Sequence, residues 1–173
     1  MNKEPRNQII DKVAQYLHWL TIPKQEFGNM PVCPFLDKEM RDDMLYIDIW
    51  YPHECSFMDI MESFLLSGKN SSLVICPNTH TIDYSEVSRK DIQKKITDLL
   101  RKNPQTEYLK SMIFSPYEDF EVAGVKTRSG APYFLINVAP TKQLGKSHKD
   151  LSKTKYFDNF TEKELNKMNV PKK

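Results

Sequence analysis

Apolar side chains recur along this chain at two periods, and the switch between them lays out a series of elements. Ile9, Ile10, Val13, Leu17 and Leu20 fall three or four residues apart, the spacing that gathers side chains on one helical face. Pro5 to Leu20 is therefore predicted as an amphipathic helix, with Asn7 as a candidate cap, Pro23 just past its end and Trp19 packed beneath the fold. Met44 to Tyr51 reads MLYIDIWY; it alternates and is rich in β-formers, so it predicts a strand that Pro52 ends. Ser56 with Asp59 three residues on has the form of a helix start, and Phe57, Ile60, Met61, Phe64 and Leu65 follow at helical spacing up to Gly68. Ser72 to Cys76 is a short apolar strand closed by Pro77. Ser85 or Ser88 starts a long helix to Lys102, with Ile92, Ile96, Leu99 and Leu100 on one face and Asn103-Pro104 as its stop. Leu109 to Phe114 is the third strand and Tyr133 to Val138 the fourth. Thr141 to Leu151 is expected to be helical, and Thr161 with Glu164 forms a capping box for a last short helix.

This order predicts an α/β or α+β fold: a single layered domain with a central sheet of about four strands and helices packed on it. The expected division is one domain over residues 1–151 followed by a basic extension, 152–173, that carries the short helix. The remaining segments are irregular: Thr21 to Val32, with Pro23, Gly28 and Pro31; the charged run Asp37 to Asp43, read as one or two helical turns; and Tyr117 to Ala131.

At 173 residues the chain suits one domain with one core. No apolar run approaches the roughly 18–20 residues that span a bilayer, and no apolar segment follows the charged start. Three cysteines is an odd count for a chain large enough to build a core without staples. Reduced thiols and a cytoplasmic setting are the expectation. The net charge of +2 is unevenly spread: residues 140–173 hold nine Lys and four acids, the rest 16 basic and 19 acidic residues. A basic tail fits an acidic or phosphate-bearing surface, but without an aromatic stacking pattern or nucleic-acid fold signature it argues for a solvated face rather than nucleic acid.

Three times a small reactive residue directly precedes proline: Cys33-Pro34, Cys76-Pro77 and Ser115-Pro116. Proline holds the residue before it extended, and two of these pairs close strands, where α/β sheets bind ligands. The same residues carry a resemblance. Trp19, then Val32-Cys33-Pro34-Phe35-Leu36, then Ser72 to Pro77, Phe114-Ser115-Pro116 through Gly124, and Thr127-Arg128-Ser129-Gly130-Ala131-Pro132 resemble, in order and rough spacing, the motifs of the bacterial domain-of-unknown-function 1415 family. Cys76 and Ser115 stand where that family has histidines, and Gly130-Ala131 replaces a Pro-Tyr. The resemblance implies a shared architecture and a shared, altered pocket; the family supplies no activity.

The candidate catalytic residues are Cys33, Cys76 and Ser115. A thiolate at a helix start is favoured by the helix dipole, and Cys33-Pro34-Phe35 is similar to the opening of a glutaredoxin-like site, with Leu36 in place of the second Cys. The candidate substrate-binding residues are Arg128, which can clamp a carboxylate or phosphate, with Ser129, Asp119 and Phe35. His53-x-Cys55 and Cys76-x3-His80 match no standard zinc spacing, so no metal site is assigned and no cofactor is implied. Two functions fit. One is a thiol-dependent enzyme acting on a small anionic or redox substrate through Cys33 and Arg128. The other is a non-catalytic binding or accessory protein, a viral one included, that uses an altered pocket and its basic tail to hold a protein partner.

Overall fold

Alternating parity along each strand divides the apolar residues between two faces of one sheet, and helices cover both. The computed structural model describes residues 4–78, 82–118, 121–127, 130–168 and 170. In chain order the elements are α1 (Arg6–Thr21), β1 (Pro23–Lys24), β2 (Met30–Pro31), α2 (Pro34–Arg41), β3 (Leu45–Ile49), α3 (Phe57–Leu66), β4 (Ser71–Cys76), α4 (Arg89–Lys102), β5 (Leu109–Phe114), β6 (Glu121–Val122), β7 (Val125–Lys126), β8 (Phe134–Pro140), α5 (Thr141–Leu151) and α6 (Glu162–Lys167). The main sheet has the order β3-β4-β8-β5. β3 runs parallel to β4, whereas β8 is antiparallel to both β4 and β5. Hence β3, β4 and β5 all point one way, and their carboxyl ends lie beside the start of β8.

Local chemistry explains where the elements begin. Ser56 and Asp59 close the expected capping box on α3, with Asp59 N donating to Ser56 Oγ at 3.2 Å and Ser56 N donating to Asp59 Oδ2 at 2.8 Å. Thr161 and Glu164 do the same for α6. β4 is buried at every position because helices lie on both of its faces. Leu73 and Ile75 enter the core under α1, α2 and the C-terminal segment; Val74 and Cys76 enter the core under α3 and α4. Along β8 the same parity sends Leu135 to the first core and Phe134, Ile136 and Val138 to the second.

Residues 152–168 and 170 contribute Tyr156, Phe157, Phe160 and Val170 to the first core. Tyr156, Phe157 and Phe160 are buried there around Phe27, with ring centroids between 4.9 and 5.6 Å apart; such pairs add about 0.5–1.5 kcal/mol each beyond area burial. Tyr156 Oη donates to the Val32 carbonyl at 2.5 Å. The fit is close at Gly28, which has φ +65°: a Cβ there would stand 2.7 Å from the Lys155 carbonyl oxygen.

Both outer strands of the sheet carry plugs on their free sides. On β3, the Ile49 amide donates to its neighbour's carboxylate, Asp48 Oδ1, at 2.8 Å, and Arg6 caps the same oxygen at 2.9 Å. On β5, Gln93 of α4 donates to the Ser111 carbonyl at 3.1 Å and to its hydroxyl at 2.7 Å. No helix among the described residues is long and apolar enough to cross a membrane.

Candidate functional site

The carboxyl ends of β3, β4 and β5 bring Tyr51, Cys76 and Ser115 to one end of the sheet, where open α/β sheets place their ligands. The sheet nevertheless separates the expected reactive groups. Cys76 pairs with Phe134 across the ladder, and the β5–β8 register, continued by one residue, sets Ser115 opposite Phe134 as well. Cys76 and Ser115 thus share one face but stand two strands apart, about 10 Å, with Phe134 between them. Cys33 lies on the other face, packed against the first core. Phe35 packs against that core too, as a structural side chain. Arg128, Ser129, Asp119 and His80 lie outside the described residues. No hollow therefore unites Cys33 with Cys76 and Ser115.

Cys33 occupies the position that sequence reasoning gave it, immediately before α2 with Pro34 as the first helical residue. Its N–H donates to the Leu20 carbonyl at 3.1 Å, and the Phe35 and Leu36 amides face its sulfur and favour the thiolate. Burial opposes them and wins, holding the thiol above its ordinary pKa, with Glu39 adding like-charge repulsion. The magnitudes explain the outcome. A helix terminus contributes about 0.3–1 kcal/mol, up to ~2 in partly buried settings, whereas complete desolvation moves a pKa by as much as ~3–5 units, about 1.4 kcal/mol each. Even the share felt by the half-buried Cys33 can therefore exceed the helix contribution. Tyr156 closes over this site, and its own hydroxyl is pushed up by burial.

Cys76 is buried more deeply still. Its thiol is raised far above the usual range by desolvation and lies against the Tyr84 hydroxyl, which is buried without a conventional hydrogen-bond partner. Tyr84 in turn stacks on Phe134 at 5.1 Å. The Ser115 hydroxyl is also buried and accepts the Tyr117 N–H at 3.2 Å, so it shapes a turn. Around it, Asn78 Nδ2 donates to Asp83 Oδ1 at 3.0 Å and to Tyr117 Oη at 3.3 Å, and Arg89 pairs with Glu118 at 2.7 Å. These groups satisfy one another and tie the start of α4 to the end of β5.

The same end of the sheet carries a hollow that sequence reasoning missed. It has a volume of about 290 Å³ and is lined by Glu4, Pro5, Arg6, Ile49, Tyr51 and Glu54, where α1 begins beside the end of β3. Its charges are already engaged: Glu4 accepts from Lys12 at 2.6 Å and from Tyr133 Oη at 2.7 Å, and Arg6 pairs with Asp48. These partners hold the Glu4 carboxyl below its usual range, while burial and Glu4 push Tyr133 up to about 12. The hollow sits just under the roughly 300–1,000 Å³ of typical ligand pockets and offers no free acid–base pair. Sequence signalled only half of it. Tyr51 and Glu54 follow a predicted strand, but nothing local brings Glu4 and Arg6 to them.

Among the described residues, no three His, Cys, Asp or Glu side chains are placed to hold a metal ion. Comparisons with protein-family models, curated proteins and solved structures give no match.

Proposed function

We propose that this protein is a non-catalytic binding protein that contacts its partner through the basic C-terminal segment, residues 140–173. The observation that carries this reading is the placement of Cys33 and Cys76 on opposite faces of the sheet, Cys33 half-buried and Cys76 fully buried, with both thiols raised in pKa. Thiol chemistry needs the thiolate and access to it, and neither cysteine supplies both. The three unpaired cysteines support a reducing compartment such as the cytoplasm. Kinship with the domain-of-unknown-function 1415 family belongs to the same proposal, since its proline motifs fall at helix and strand ends where they have structural work.

Alkylation by iodoacetamide tests the reading. Cys33 is expected to stay unmodified in the native protein at pH 7–8 and to react once the chain is unfolded in urea, and Cys33→Ala is expected to leave partner binding intact. Rapid native alkylation of Cys33 at a pH well below the ordinary thiol value of about 8.5 would restore the thiol-enzyme reading.

A further inference from the structure

The surface beside α5 carries a second, independent feature. α5 packs on β8 and leaves the adjoining side of β5 uncovered. There Tyr108, Lys110 and Met112, at alternate positions of the strand and its lead-in, face outward, with Tyr108 50% and Met112 41% exposed. Thr141, the first residue of α5, donates through both its amide and its hydroxyl to the Tyr108 carbonyl at 3.0 Å, which fixes the tyrosine at the helix start. Lys110 lies close enough to His148 of α5 to repel its proton. On the helix itself Lys142, Lys146 and Lys149 are exposed and recur at four- and three-residue spacing, so they form one outward ridge that rises about 10 Å along the axis.

The ridge lysines form no ion pair of their own among the described residues. Arg6, Lys12, Lys38, Arg41, Lys69 and Arg89 each hold a carboxylate within 4 Å. Lys110, Lys142, Lys146 and Lys149 have no ion pair among the described residues. Asp150, the one acid on α5, pairs with Lys153 at 3.0 Å and offsets Lys146 and Lys149 only through space, and Glu107 is the remaining acid next to Tyr108. An exposed aromatic ring on a shallow ledge beside a row of free cations is the arrangement that holds single strands, with the phosphates on the cations and a base on the ring. A purely electrostatic partner, such as an acidic protein or an anionic bilayer, has no use for the ring. Reading the sequence of a duplex needs an element that enters a groove, and a duplex, whose bases are already stacked, leaves the exposed ring unused.

We infer that this ledge binds single-stranded nucleic acid, with its backbone along Lys110, Lys142, Lys146 and Lys149 and a base stacked on Tyr108. The inference rests on the binding-protein reading above and names its partner class.

Fluorescence anisotropy of the full chain with a labelled oligothymidylate of about 20 nucleotides tests it, because known single-strand modules cover about 4–16 nucleotides. Four phosphate contacts at about −0.7 each predict a slope of about −3 for log K against log salt, or roughly 50-fold weaker binding from about 50 to 200 mM salt. Replacing Lys142, Lys146 and Lys149 together by Gln is expected to cut that slope to about −1. Tyr108→Ala is expected to weaken binding about fivefold or more at every salt concentration with the slope unchanged. Circular dichroism should find both variants folded, since these side chains are exposed. The inference is overturned if no binding appears at about 50 mM salt, if Tyr108→Ala has no effect, or if polyglutamate or phosphatidylglycerol vesicles bind as tightly as the oligonucleotide. None of these outcomes alters the alkylation result, so failure here leaves the non-catalytic reading standing.

Discussion

Replacing Gly28 by Ala tests whether the C-terminal segment is truly part of the core. Two costs arise. At φ +65° an L side chain is strained by about 1–2 kcal/mol. The new Cβ would also stand 2.7 Å from the Lys155 carbonyl oxygen and 2.8 Å from its carbonyl carbon. Those are backbone atoms that cannot rotate aside, so the segment must move, and overpacking of this kind costs about 1–3 kcal/mol. A loss of about 2–5 kcal/mol is therefore expected, partly offset by about 0.4–1 kcal/mol from the stiffer unfolded chain. Gly68→Ala is the matched control. Its φ is +68°, but a Cβ there meets nothing within 4 Å, so it carries the strain and the offset without the collision. Urea unfolding of the two variants should differ by about 1–3 kcal/mol, with Gly28→Ala the weaker, and its melting temperature lower by about 2–12 °C for a chain of this size. Equal losses would mean that residues near Lys155 do not press on Gly28, and the C-terminal segment would then be an appendage after all.

Two further predictions concern pH. Glu39 is 8% exposed and accepts hydrogen bonds from the Ser71 hydroxyl and from Gln143 Nε2, yet burial holds its carboxyl above the ordinary value. The fold disfavours its ionised form, so this contribution is fully present below about pH 4.3 and lost as pH rises through the raised pKa. Glu39→Gln should therefore gain stability relative to the parent across that window and hold the gain at neutral pH; urea midpoints compared at acid and neutral pH check this, and a constant difference would refute it. His148 behaves in the opposite sense. Burial and Lys110 lower its pKa, against a smaller opposing pull from the Met168 backbone at the end of α6. Its contribution is present above about pH 6.5 and lost as pH falls through the lowered pKa. His148→Gln, which keeps a polar side chain of similar size but cannot take up a proton, should flatten the acid side of a melting-temperature profile; an unchanged acid limb would show that another group governs it.

Most elements were legible because their signals are local. Leu109–Phe114 and Thr141–Leu151 fall where they were expected, and both capping boxes sit on the residues that announced them. The charge pattern from Asp37 to Asp43 predicts only one or two turns, whereas Pro34, as a first helical residue, starts α2 three residues earlier and Arg41 ends it. Local pattern carried no information on the order of the strands. That β8 enters antiparallel between β4 and β5 is decided by long-range burial, and so is the face on which α2 docks. Parity alone could say that Cys76 points away from Ile75. It could not say that Cys33 lies on Ile75's side, and the expected common pocket failed at that step. In the tail the lysines dominate the pattern, while Tyr156, Phe157 and Phe160, which pack into the first core, recur at no helical or strand period. The meeting of Tyr108 with α5 is likewise a product of folding, since their closeness follows from strand pairing.

The plugged margins of the sheet have a consequence for how this molecule meets others. Asp48 turns a carboxylate onto one rim and Gln93 an amide onto the other, so an intruding extended peptide would have to displace a bond already made before forming its own. Such guarding resists the zipping of one copy onto the next that ends in fibrils. It also steers recognition toward side chains standing on helices and ledges, where contacts are made and released without recasting the backbone.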